Sequence, residues 1–417
     1  MDKKLNCSPS FSQPFFSLVP NMKTMFFIAL PCVLLAEPPL TLGDVLARSK
    51  VPIQKLLVDS ALADGQLLVN SSAGFLRESP TISVSAGPRM ASGASSTTDQ
   101  TIEMEAGLLL NRGPRKKLAL EINSSAPILY NAADLENRLA IHQAFLYAWL
   151  AERVETIRAE DHSIVSSWLE IAKARSESGA DPAFQLELAK GELLKSRMDW
   201  EEAKLARIQA WAALRALAEL PDAPQPLDYQ PEALVRVSDN AQELEAKYQS
   251  GAIRRSIVAK QGLEIGQANV QAALANSRWS IASSYSKEAI DRIAKIGIAY
   301  KFPNPKESSA IKANERARVE SSRRSAEIAL SELDMRFRTA MQATQSSQGY
   351  AANLGTPDTD ASLEALTLRL QEGKDRPSEA IPIRRQFLEI KLAELRRRCA
   401  QYLADAELRT LIAEDKK

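Results

Sequence analysis

The sequence predicts a mainly α-helical protein with a small β part. It reads as one elongated, duplicated unit of long coiled α-hairpins that carries four short strands. Three observations predict this. Two motifs recur at one common offset of 194 residues. Two stretches, of 51 and 43 residues, hold neither glycine nor proline. Four short segments alternate apolar and polar residues.

Composition agrees with that class and excludes others. Hydrophobic residues make up 45% and charged ones 25%, as in folded proteins. Aromatics at 6% and 16 glycines suit neither a large β-protein nor a dinucleotide-binding α/β enzyme. Lys+Arg number 53 against 52 Asp+Glu, so the net charge of +1 excludes a strongly basic nucleic-acid binder. Two histidines leave little for histidine catalysis or metal ligation. No later apolar run is long enough for a membrane-spanning helix.

Residues 1–36 read as a secretory signal. Lys23 precedes an apolar run from Met25 to Ala36, and small Ala36 stands before Glu37-Pro38-Pro39. The run is too short to span a bilayer. Met22 fits the start of such a signal better than Met1. Pro31 disfavours lipid attachment at Cys32. Of Cys7, Cys32 and Cys399 only the last would remain, so no internal disulfide is expected.

Two repeats follow, 37–220 and 238–417, joined by a linker at 221–237 with Pro221, Pro224, Pro226 and Pro231. Each opens with a helical stretch, about 41–72 and 238–277. Paired strands come next, at 81–90 and 101–110, then at 278–286 and 293–302. Ile82 and Val84, Ile102 and Met104, Trp279 and Ile281, Ile298 and Tyr300 mark their apolar faces. The Ser/Thr/Gly-rich stretch 91–100 is the expected hairpin loop.

Long helices complete each repeat. The first runs over 128–178 after Pro127, where a kink or break is expected. Leu135, Leu139, His142, Leu146 and Trp149, and then Ile157, Ile164, Trp168 and Ile171, step along the helix by three, four or seven. In the last helix Leu388, Leu392, Leu395, Cys399, Tyr402 and Ala406 step 4-3-4-3-4, so the helices coil around neighbours. The stretch 344–360 reads as looser than a continuous helix.

The recurrent motifs lie at the helix turns and ends. Arg175-Ser-Glu-Ser-Gly179-Ala-Asp181 returns as Arg369-Leu-Gln-Glu-Gly373-Lys-Asp375, and Leu214-Arg-Ala-Leu217 as Leu408-Arg-Thr-Leu411. Gly179 and Gly373 can take the left-handed conformation that stops a helix. Asp181 is placed to cap the next helix, with Pro182 in its first turn. Asp375 and Pro377 sit similarly, two residues apart. Such turn tips are exposed and free to bind.

Four strands of about 10 residues are long enough to cross a bilayer as tilted β-structure. One chain with four strands cannot close a barrel, and open edges in lipid are prohibitive. Membrane strands here would therefore share a barrel between chains; two soluble hairpins are the alternative. His142 and Cys399 fall in seams, where packing is the default role. The basic cluster 111–117 reads as a solvated helix start near lipid head groups. No nucleophile–base pair, metal-ligand cluster or phosphate-cradling loop is visible. No enzyme activity, cofactor or metal site is expected.

With these residues in hand, the chain resembles the TolC family of outer-membrane efflux ducts. The likeness is carried by the leader, Leu40-Thr-Leu-Gly-Asp-Val-Leu46, the duplicated strand pairs, the Arg-x-x-x-Gly turns and the tail 401–411. Gly297-Ile-Ala-Tyr-Lys-Phe-Pro-Asn-Pro305 looks like the heavy-metal (CzcC-type) branch of RND efflux. The resemblance implies a homotrimer: a 12-stranded β-barrel in outer-membrane lipid, continued by a periplasmic α-barrel. It implies a periplasmic adaptor protein and an inner-membrane proton-driven RND pump as partners, and no nucleic acid. It places the adaptor at the turns, on Arg175, Gly179, Asp181, Arg369, Gly373 and Asp375. The expected role is a passive conduit for small solutes such as metal ions or drugs. A type I secretion duct and an exported structural coiled coil remain alternatives.

Overall fold

The structure, a computed structural model, describes residues 38–70, 81–89, 97–108, 113–237, 240–276, 278–288, 291–300, 302, 305–353 and 359–414. The expected signal at 1–36 and the core of the hairpin loop lie outside these residues. Strand β1, Leu40–Thr41, leads into helix α1, Leu42–Ala47. A capping box starts α1: Asp44 N donates to Thr41 Oγ1 at 3.3 Å, and Thr41 N donates to Asp44 Oδ2 at 3.0 Å. The predicted helix 41–72 is divided, because Pro52 has no N–H to continue it. Helix α2, Ile53–Asn70, follows that proline.

Strands β2, Thr81–Arg89, and β3, Thr97–Leu108, pair antiparallel. β3 begins four residues ahead of the expected 101, where Thr97 pairs with Arg89. Helix α3 then spans 65 residues, Gly113–Glu177, about 100 Å of rise. Pro127 lies inside it, so the expected break is absent. A proline there costs about 3 kcal/mol. Its neighbours Ile122 and Leu129 are buried against α2 and against Leu263 and Val270 of the second repeat, each contributing about 1.5–3 kcal/mol. Packing on both sides of the proline outweighs its loss. Of the basic cluster, residues 113–117 belong to the start of α3. Helix α4, Ala183–Leu217, returns antiparallel to α3.

The linker is more than a spacer. Its strand β4, Leu227–Asp228, pairs parallel with β1. Leu40 and Leu227 then join Val45, Ile141, Phe145, Trp211 and Leu214 in one core.

The second repeat begins with α5, Ala241–Gln249, and α6, Ala252–Ala275. The single helix expected over 238–277 is divided at Gly251. A Cβ there would lie 2.5 Å from the Leu411 carbonyl, so this close approach needs glycine. Strands β5, Trp279–Glu288, and β6, Asp291–Tyr300, follow, then α7, Pro305–Asn353. Helix α7 continues through 344–353, where a looser chain was expected. Thr344 and Ser347 are buried there and return their hydroxyls to Ala340 O at 2.9 Å and Thr344 O at 2.8 Å. Residues 354–358 lie outside the described set. Helices α8, Thr359–Gln371, and α9, Pro377–Leu411, end the chain. Leu408 and Leu411 anchor the second core with Leu244, Tyr248, Leu333 and Phe337, as Leu214 anchors the first.

All four long strands form one antiparallel sheet in the order β2-β3-β5-β6. β2 and β6 are its edges. Pro39–Lys417 is one compact unit.

Candidate functional surfaces: the paired turns and the two-faced sheet

The turns between α3 and α4, and between α8 and α9, share one geometry. Gly179 and Gly373 both have φ of 73°. Ala180 N reaches Arg175 O at 2.9 Å and Gly179 N reaches Ser176 O at 3.1 Å. Lys374 N reaches Arg369 O at 2.9 Å and Gly373 N reaches Leu370 O at 3.2 Å. These nested bonds define a Schellman end, which glycine alone enters without a side-chain penalty.

Asp181 does not cap α4. The N-cap is Pro182, and no side chain bonds there. Asp181 instead pairs with Arg175, Nε to Oδ2 at 2.7 Å, and its carboxylate is 1% exposed. Asp375 pairs in the same way with Arg369 at 2.9 Å. The Arg-x-x-x-Gly-x-Asp motif is thus a clasp closed across each turn. Charge attraction at six-residue separation wins over capping because the turn folds both ends together.

The two clasps stand side by side. Arg175 Nη1 donates to Leu370 O at 3.4 Å and to Asp375 O at 3.3 Å. Gln185 Nε2 donates to Ser378 Oγ at 3.0 Å, and Ser378 N donates to Gln185 Oε1 at 3.0 Å. Arg175 is mostly buried, whereas Arg369 is 61% exposed. The tips Ser178–Ala180 and Glu372–Lys374 are exposed together.

Behind the turns lies a buried ionic cluster that the heptad reading did not reveal. Arg384 of α9, 2% exposed, pairs with Asp161 of α3 and Glu192 of α4. Arg385 Nε joins Glu192 Oε1 at 3.0 Å. Burial raises the Glu192 pKa, but Arg385 and Arg384 pull it below the ordinary value on balance. The sequence signal was present: charged residues stand at core positions on three helices.

At the opposite end the strand register sorts the sheet into two faces. Ile82 pairs with Met104, Val84 with Ile102, Ile102 with Tyr285, Ile281 with Ile298 and Trp279 with Tyr300. Directly paired residues share a face. All eight residues singled out in the strands therefore lie on one side, together with Ala106, Tyr285, Ala294 and Ile296; the same side carries Ser283 and, at its far end, Gln100, Lys287 and Arg292. The other side carries Thr81, Ser83, Ser85, Thr101, Glu103, Glu105, Ser280, Ser284, Ser286 and Lys295. The apolar side is uncovered: Val84 is 71% and Ile296 85% exposed. Three aromatics gather at the helix end, with Trp279 and Tyr300 rings 4.8 Å apart and Phe302 5.3 Å from Tyr300, while Tyr285 stands farther along β5.

His142 packs as expected. Its Nε2 lies 3.2 Å from Tyr229 Oη, amid Phe145 and Trp149, and burial lowers its pKa. Cys399 is buried, its thiol pushed up to about 11 by desolvation, which makes it inert at neutral pH. Among the described residues no His/Cys/Asp/Glu group could hold a metal ion, and no helix is long and apolar enough to cross a membrane.

No protein-family model matches the sequence. No curated protein matches it either. Solved structures do match. The Campylobacter jejuni CmeC outer membrane channel aligns over 90% of this chain and 87% of its own, with TM-score 0.68 and 15% identity. The Vibrio cholerae outer membrane protein VceC aligns over 90% and 97%, with TM-score 0.65 and 12% identity. The open state of the Neisseria gonorrhoeae MtrE outer membrane channel aligns over 90% and 88%, with TM-score 0.61 and 15% identity. The chain has the fold of TolC-like outer-membrane channels.

Proposed function

We propose that the chain is the outer-membrane duct of a tripartite efflux system. Three copies would close twelve strands into a barrel and continue it as an α-barrel in the periplasm. The observation that carries this reading is the four-stranded sheet with two open edges, one apolar face and one polar face. In water that apolar face would expose a row of Ile and Val. In lipid it is satisfied, and only a closed barrel removes the edges. A soluble coiled-coil protein with two hairpins has no use for such a face.

Helix α4 supports assembly with further copies. Phe184, Leu188, Leu194, Met198, Leu205 and Ile208 are exposed along it. Another copy of the same chain is the covering that a trimer supplies. The exposed pair of turns is the docking end for a periplasmic adaptor, which links the duct to an inner-membrane RND-type pump. The cargo is a small solute, a metal ion or a drug. The 297–305 segment favours the heavy-metal branch by resemblance, and among the described residues no His/Cys/Asp/Glu group could hold a metal ion. A type I secretion duct would use the same architecture.

Cell fractionation tests the core of the reading. A heat-sensitive trimer in detergent-extracted outer membrane is expected. A soluble periplasmic monomer would refute it. Bulky replacements of Gly179 and Gly373 should then abolish efflux while leaving trimer levels unchanged; normal efflux would remove the turns from docking.

A further inference from the structure

We propose that the cleft where strands meet helices holds the head group of a zwitterionic phospholipid. Lys117 and Arg278 would take its phosphate, and Glu121 and Glu315 its ammonium. This rests on the outer-membrane reading above and adds a ligand to it.

The cleft has a volume of about 890 Å³. It is lined by the N-terminal part of α3, with Lys117 and Glu121, and by Glu315, about three turns into α7. Its floor is α6, kept low by Gly262 and Gly266. A side chain at Gly266 would meet Leu118 at 3.0 Å, so helix packing holds this floor flat. Arg278, Trp279 and Tyr300 line its strand side.

Position and charge both point to a lipid. Trp279 and Tyr300 pair directly across the sheet and belong to its apolar face. Tryptophan and tyrosine at the end of an apolar band mark the head-group level. The cleft opens next to them, so a lipid with its head in the cleft would lay its chains along Ile281 and Ile298. Two cations and two carboxylates line the cleft, which suits a head group bearing both signs. The far end of the same face differs. There Lys287 pairs with Arg292, and Ala86 and Gln100 complete the rung without a carboxylate. Charge balance is therefore a property of the cleft and not of the whole face.

Native mass spectrometry of the detergent-extracted trimer tests this, with dioleoyl-phosphatidylethanolamine and dioleoyl-phosphatidylglycerol as probes. The ethanolamine lipid should be retained, one per chain, in preference to the glycerol lipid. Lys117→Ala with Arg278→Ala should cut retention by about tenfold or more, the size of one lost charge-assisted contact. Glu121→Gln with Glu315→Gln should abolish the preference for ethanolamine while glycerol-lipid retention holds or rises. A purely structural role would not produce that exchange. Lys287→Ala should change neither value. Heat-sensitive trimer mobility certifies each variant as folded, and Lys117→Arg covers a failed alanine. Equal retention of both lipids by the unaltered trimer, or an unchanged preference in the glutamine variant, overturns the site alone. A soluble monomer overturns the site and the duct reading together.

Discussion

Gly179 and Gly373 share a φ of 73° but differ in surroundings. A side chain at 179 would meet nothing within 4 Å. At 373 it would stand 3.3 Å from Arg175 Nη1, the group that ties the second turn to the first. Gly179→Ala should therefore cost backbone strain alone, about 1–2 kcal/mol. Gly373→Ala should cost more, because Arg175 must also move. Thermal unfolding of the two purified variants checks the order; equal losses would mean that Arg175 yields freely. His142 offers a pH test. An unfolded imidazole titrates near 6.5, and burial holds the folded one lower. As pH falls below 6.5 the unfolded chain takes the proton first, so stability present above 6.5 is lost toward the folded pKa. His142→Asn should flatten that part of the melting-temperature profile, and an unchanged slope would assign it elsewhere. At this scale the glycines were legible because only a positive φ makes glycine necessary at a helix stop. The Asp181 pairing was not. A short polar residue before proline looks like a cap, and only the folded turn brings it onto the arginine six residues back.

Helices and strands were largely legible because their periods follow from burial. A sheet face that must be apolar imposes alternation, and long stretches without glycine or proline favour helix. What failed was the weighing of one local term against packing. Pro127 is a strong breaker by itself, but Ile122 and Leu129 beside it are pinned by α2 and α6, elements that a local reading does not see. The cluster around Arg384 fails to announce itself for a similar reason. Its partners Asp161 and Glu192 lie 223 and 192 residues away, on α3 and α4. Arg384→Met should destabilise the fold by about 3–5 kcal/mol, since buried Asp161 loses its partner and buried Glu192 one of its two. Adding Asp161→Leu and Glu192→Leu should restore most of that loss, because apolar packing replaces an ionic core at little cost. Calorimetric melting of the single and triple variants measures both. A harmless Arg384→Met would mean that Arg385 alone neutralises the site.

In the proposed reading the closed duct belongs to several chains, so one sequence carries only its parts: sheet edges without partners and an exposed apolar face. Closure has an electrical consequence on the other face. The rung Ser83–Glu103–Ser284–Lys295 holds a carboxylate and an ammonium. The neighbouring rung Thr81–Glu105–Ala282–Gly297 holds a carboxylate alone, and it ends two strands away in a glycine with open space around it. In a trimer Glu105 would repeat as a ring of negative charge facing the lumen, with no base on its own level. Rings of carboxylates favour cations in water-filled pores. The trimer in a planar bilayer, held in a KCl gradient, should therefore show a reversal potential of cation-selective sign. Glu105→Gln should move that potential toward zero, and Glu105→Lys should carry it further in the same direction. Glu103→Gln should act less, because Lys295 already offsets that rung. All shifts should grow in dilute salt, where the screening length reaches about 30 Å at 0.01 M and spans the lumen. Insensitivity of the potential to Glu105→Lys in dilute salt would place this face away from the lumen, and the barrel would have to close the other way round.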